Sequence, residues 1–148
     1  MSIFPTRILL ATDGSREAQL AARTAADLAQ RTDSELHVTT VEAGLPISAT
    51  TSPARLEDVL RENRRQAEEV LEQQVKSIEE SGGAVNETHL REGRADEEIV
   101  ELAEELGAGL IVMGSRGHGR LRRALLGSVT DAVVRHAHCP VTIVREVR

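Results

Sequence analysis

Tryptophan and tyrosine are absent from this chain, phenylalanine occurs once at Phe4, cysteine once at Cys139 and lysine once at Lys76. Without aromatic faces the stacking platforms of single-strand binders cannot be built, and a formal net charge of -6 argues against a duplex-binding surface, so no nucleic-acid partner is expected. One cysteine excludes an internal disulfide framework. Lys76 sits in a charged helical pattern, which leaves neither a Walker A loop nor a Schiff-base amine; any phosphate must be held by arginine and main-chain N–H groups. No apolar run approaches the roughly 20 residues needed to cross a bilayer. The amino-terminal MSIFPTRILLATDG lacks the long apolar region and small-residue cleavage site of a signal peptide, so a cytoplasmic protein with no membrane partner is expected.

What is present is an ordinary globular composition, 40% hydrophobic over 148 residues, which suits one domain over residues 1–148 with an aliphatic core. Ile3 to Thr12 contains a short continuous apolar run and reads as a buried strand, stopped by Asp13-Gly14-Ser15. Ser15 then caps an alanine-rich helix to about Arg31, with Leu20, Ala21, Ala25, Leu28 and Ala29 on one face. Glu35 to Val41 is a second strand. The stretch Ala43 to Pro53, with two prolines among small residues, reads as the longest loop; a lid and a plain crossover are both open to it. Apolar residues from Leu56 to Ile78 recur at helical spacing and predict one long helix to about Ser81. Ala84 to Arg91, Leu110 to Met113 and Pro140 to Val144 complete five strands, with helices over Arg94 to Leu106 and from Gly127 or Ser128. Strict alternation of strand and helix with short connections implies a parallel sheet covered on both faces, a doubly wound α/β fold.

Chemistry concentrates in GSRGHGRLRRALLGS, residues 114–128, where Gly114, Gly117 and Gly127 surround Arg116, Arg120, Arg122 and Arg123 with no acid among them. In an otherwise acidic chain this local run calls for an anionic partner. Gly114 and Gly117 let a phosphate approach the main chain in conformations closed to other residues, and Gly127-Ser128 offers N–H groups and a hydroxyl at a helix amino terminus. Ser128 reads equally as a plain N-cap. Ligands of open α/β sheets bind beyond the carboxyl ends of strands, where Asp13 and Gly114 both lie; an ionised aspartate accepts hydrogen bonds from ribose hydroxyls, and it can as well cap its own turn.

The spacing Gly114-x2-Gly117-x9-Gly127-Ser128 resembles that of the ATP-binding members of the universal stress protein family. The blocks ILLATDGS, LHVTTV, IVMGSRGHG and HAHCPVTIVR extend the resemblance over nearly the whole chain. It implies a universal stress protein domain over residues 1–148, on a five-stranded parallel sheet of order 3-2-1-4-5 of the adenine nucleotide alpha hydrolase-like type. It also implies ATP or AMP as ligand, with Mg2+ as accompanying ion. Carried over by position, Asp13 holds ribose, Val41 meets adenine through its backbone, and Gly114, Gly117, Gly127 and Ser128 line the phosphates, with Val129 and Thr130 as main-chain neighbours. Thr12 and Met113 frame the pocket, while Arg116, His118 and Gly119 belong to the glycine loop. A homodimer through the fifth strand, Val141, Thr142, Ile143 and Val144, is implied as well, and an apolar edge of that kind favours pairing.

No general base stands beside a nucleophile, so no catalytic residue is assigned and the chain reads as a binding and regulatory protein, at most a slow ATPase. The competing reading is a nucleotide-independent dimeric scaffold on the same fold, against which the intact glycines argue. His136, His138 and Cys139 invite a metal, but two histidines near a helix carboxyl terminus also suit the helix dipole, and no metal site is assigned. Ser81-Gly82-Gly83 follows a helix and reads as its end. A phosphotransfer receiver is excluded because no aspartate ends strand three and no lysine ends strand five.

Overall fold

The computed structural model describes residues 2–42, 44, 52–115 and 127–146. Among the described residues nine elements alternate: β1 (Arg7–Ala11), α1 (Arg16–Thr32), β2 (Glu35–Glu42), α2 (Pro53–Glu80), β3 (Glu87–Glu92), α3 (Ala95–Leu106), β4 (Leu110–Gly114), α4 (Ser128–His136) and β5 (Val141–Val144). All strand pairs are parallel, in the order β3-β2-β1-β4-β5, the order implied by the family resemblance.

The sheet divides the core by the two-residue period of its strands. Ile8, Leu10, Leu36, Val38, Leu110 and Val112 face one way and pack on Ala21, Ala22, Ala25 and Ala29 of α1 and Leu71 and Ile78 of α2. Leu9, Ala11, Ile111 and Met113 face the other way, onto Ile99, Leu102 and Ala103 of α3 and Val133 of α4. Ile8, Leu9 and Leu10 of the central strand are fully buried, which explains the continuous apolar run there. Small alanines on α1 let that helix lie close to the strands, so side chains without large rings fill most of the interior.

Several boundaries differ from the sequence reading for physical reasons. β1 begins at Arg7, where pairing with Glu35 of β2 starts. Pro53 opens α2 rather than closing a loop, because the first helical position needs no N–H, and Ser52 Oγ accepts from the Arg55 N–H at 3.4 Å. The remainder of the 43–51 stretch, Gly44 apart, lies outside the described residues, and so does the lid reading. α2 is long, 28 residues, or about 42 Å at 1.5 Å per residue, against about 26 Å for the eight residues of β2. Its first half therefore overshoots the sheet. Leu56, Val59 and Leu60 are only half-buried, and burial begins at Ala67.

Candidate functional site

A cavity of about 410 Å³ opens at the carboxyl ends of β1, β2 and β4. Its position follows from the topology: β1 sends its connection to α1 on one face, β4 sends its own toward α4 on the other, and the two strands are neighbours. Thr12, Asp13, Val41, Met113, Gly114, Gly127, Ser128, Val129 and Thr130 all line it. Arg116, Gly117, His118 and Gly119, the other residues singled out in the sequence, lie outside the described residues, as do Arg120, Arg122 and Arg123, and their assignment rests on the sequence alone.

The β1–α1 turn is built by short polar side chains. Asp13 Oδ1 accepts from the Ser15 N–H at 2.9 Å, and Ser15 Oγ accepts from the Ala18 N–H at 3.3 Å, so the turn passes straight into the capped helix. Gly14 supplies the one backbone conformation that other residues adopt poorly, with φ of 79°. Its N–H donates to Thr12 Oγ1 at 3.2 Å, and the Thr12 hydroxyl donates in turn to Gln74 Oε1 at 2.7 Å. Gln74 is 1% exposed and also donates through Nε2 to Gln19 Oε1 at 3.2 Å. A glutamine of α2 thus fixes the turn that presents Asp13.

On the opposite wall, the Thr130 hydroxyl donates to the Gly114 carbonyl at 3.0 Å and the Gly127 N–H donates to the Ser115 carbonyl at 2.9 Å. These two bonds hold the start of α4 against the end of β4, and they pin together the two ends of the 116–126 segment. Gly127, not Ser128, is the N-cap of α4; Ser128 is the first helical residue. Gly127 has no side chain with which to cap the N–H groups of the first turn, and such a helix start suits an anion.

Gly114 is a glycine for a different reason than the sequence suggests. It has no positive φ, and a Cβ there would lie 3.0 Å from the Glu17 carbonyl carbon and Cβ and 3.1 Å from its oxygen. Absence of a side chain lets α1 touch β4. Beneath this contact the buried Glu17 carboxylate accepts from the Ser115 hydroxyl at 2.6 Å and from the Glu146 N–H at 3.3 Å through the same oxygen.

The wall between these polar ends is apolar or small: Ala11, Ala18, Ala95, Ile99 and Met113, with Thr39 and Thr40 from β2. None of these except Met113 was singled out in the sequence. They carry no distinctive chemistry, and only the strand order brings them together. The arrangement offers an apolar slot beside Val41, acceptors at Asp13, and N–H groups and hydroxyls at the amino terminus of α4. That donor set fits a planar apolar ring, a polyhydroxyl group and a phosphate in succession. Near the rim, burial first and then the Glu92 carboxylate push the Glu42 carboxyl above the ordinary range; Arg64 opposes the rise and Glu68 adds to it.

Residues 5–145 match the model of the universal stress protein family. The chain is 37% identical over 143 residues to universal stress protein MJ0531 of Methanocaldococcus jannaschii, covering 95% of this chain and 82% of that relative. Universal stress protein UspA from Lactobacillus plantarum superposes with a TM-score of 0.83 at 28% identity, over 97% of this chain and 100% of that one. A universal stress protein in complex with cAMP does so with a TM-score of 0.72 at 26% identity, over 97% and 98% of the two chains. The universal stress protein from Archaeoglobus fulgidus in complex with dAMP gives 0.68 at 28% identity, over 96% and 99%. The chain belongs to the universal stress protein family.

Proposed function

We propose that this chain is an adenine-nucleotide-binding regulator that takes ATP or AMP in the cavity between β1 and β4. The observation that carries the reading is the convergence of Asp13, Val41 and the Gly127-Ser128 helix start on one crevice of ligand size. Asp13 accepts from the ribose hydroxyls, the Val41 main chain meets the adenine edge, and Thr12 and Met113 bound the slot. Gly114, Gly127 and Ser128, with Val129 and Thr130, line the phosphates; Arg116, Gly117, His118 and Gly119 are assigned to the same ligand by their place in the glycine motif of the sequence. Bound Mg2+ would neutralise phosphate charge. The cAMP and dAMP complexes of related proteins support an adenine nucleotide as the ligand class.

The proposed role is a switch read by other proteins in the cytoplasm; among the described lining residues none pairs a nucleophile with a base. Dimerisation through β5, whose Val141, Thr142, Ile143 and Val144 are all half-buried at the edge of the sheet, would give it a two-fold axis. Mass analysis of the small molecule released when the purified protein is denatured tests the reading, together with the thermal shift on adding Mg-ATP or AMP. A near-stoichiometric adenine nucleotide, or a shift that Gly127→Leu abolishes without loss of the fold, is expected. No released nucleotide and no shift would overturn it in favour of the scaffold.

A further inference from the structure

At the amino ends of β2 and β3, outside the residues that line the cavity, three ligating side chains of two strands meet. His37 and Glu87 are register partners and His89 follows two residues along β3, so their side chains share one face of the sheet with Glu35. His37 Nδ1 lies 3.1 Å from His89 Nε2, His89 Nε2 lies 3.1 Å from Glu87 Oε1, and His37 Nδ1 lies 3.9 Å from the same oxygen. We propose that His37 Nδ1, His89 Nε2 and Glu87 Oε1 form a site for one first-row divalent cation of the zinc type.

Three observations carry this. A triangle with those sides has a circumradius of about 2.0 Å, the length of a Zn–N or Zn–O bond, so one ion reaches all three atoms without movement of the backbone. Glu35 Oε1 stands 2.9 Å from His37 Nε2. That contact assigns the ring hydrogen to Nε2 and leaves the Nδ1 lone pair for the ion, as carboxylates do behind metal-ligating histidines. Third, the surroundings are acidic: Glu35 and Glu87 flank the rings, Glu105 lies within electrostatic reach of His89, and the arginines nearby are matched by carboxylates. Arg7 lies 3.5 Å from Glu35, and Arg91 lies 2.8 Å from Glu105 and 3.0 Å from Glu98.

Two imidazoles and one carboxylate select zinc, cobalt or nickel over calcium or magnesium. The rings now stack with centroids 5.3 Å apart and planes 22° from parallel, so binding turns them about their soft χ2 torsions until both lone pairs meet at one point. Glu87, whose side chain is 60% exposed, closes the outer side and leaves a fourth position to water. The ion would cross-link edge strand β3 to β2, a staple for the least buried strand of the sheet.

Chelator-treated full-length protein is titrated with zinc chloride by calorimetry and melted with and without it; cobalt chloride replaces zinc to read coordination from visible absorption. One saturable equivalent, a Tm that rises with zinc concentration and a cobalt band are expected. Glu35→Gln should weaken affinity about 10- to 100-fold, as loss of such supporting carboxylates does. His89→Ala and Glu87→Gln should abolish the saturable equivalent, and His138→Ala should leave it intact. Glu87 is exposed enough that its variant keeps the fold, which far-UV circular dichroism checks. No saturable zinc binding, or binding of unchanged affinity in Glu87→Gln and His89→Ala, overturns the proposal.

Discussion

Replacing Gln74 by leucine keeps the volume of a side chain that is 1% exposed and removes only its hydrogen bonds. The Thr12 hydroxyl, in a residue 6% exposed, then loses the acceptor it now meets at 2.7 Å, and Gln19 loses a donor at 3.2 Å. Leaving one buried donor without a partner costs about 1–3 kcal/mol. At about 2.1 cal/mol/K of unfolding entropy per residue, the 148-residue chain loses about 3 °C of Tm per kcal/mol, so Gln74→Leu should melt about 3–9 °C lower. Thr12→Val alone should cost a similar amount, because it strands the Gln74 carbonyl. Together the two remove both partners, and part of the loss should return. Recovery is incomplete because the Gly14 N–H also loses Thr12 Oγ1, at 3.2 Å. Calorimetric or urea unfolding of the four proteins in the double-mutant cycle should give a coupling of about 1 kcal/mol or more. Additivity to within about 0.3 kcal/mol would show that this pair does not hold the turn, and the positioning role given to Gln74 would be wrong.

Gly114→Ala drives a Cβ to 3.0 Å from the Glu17 main chain, which cannot swing aside as a side-chain tip does; a loss of about 1–3 kcal/mol in urea unfolding is expected, and an unchanged midpoint would refute the close-approach argument. Ser115→Ala takes from the buried Glu17 carboxylate its hydroxyl donor at 2.6 Å and should cost about 1.5–3 kcal/mol by the same assay. Glu42→Gln tests a pH effect: since burial and the neighbouring Glu92 raise the folded-state pKa of this carboxyl, the folded chain binds more protons there. Its contribution is present at low pH and is lost as pH rises through the folded value. The glutamine variant should therefore melt higher than the parent at pH 7, by a margin that shrinks toward pH 4; a margin independent of pH would contradict the assignment.

Element type was legible wherever one period dominated, as in the unbroken Ile8-Leu9-Leu10 run or the alanine stripe of α1. Boundaries were less so, because Ile3 and Phe4 are apolar yet precede the first paired residue, and because the apolar spacing of α2 continues past the end of the sheet. Asp13, Gly127 and Ser128 could be singled out because their local patterns, a strand-ending acid and a glycine before a helix, carry chemistry of their own. Thr39, Thr40, Ala95 and Ile99 could not: they are generic residues whose place in the cavity exists only after strands pair. Gln74 and Glu17 were hidden for another reason, being of residue types that are mostly solvated although they lie among the buried residues of their helices. His37 and His89 sit 52 positions apart and meet only through the β2–β3 register.

The central strand is also the earliest of the five along the sequence. β1 finds β2 within the next 35 residues, but its other neighbour arrives only with Leu110, and the Glu17 contact waits for Glu146. A chain still emerging from the ribosome therefore holds β1 with one edge unpaired until residue 110 has been made, and the crevice lacks its α4 wall until residues 127–130 follow. Whatever fills that crevice can aid folding only after α4 has been made.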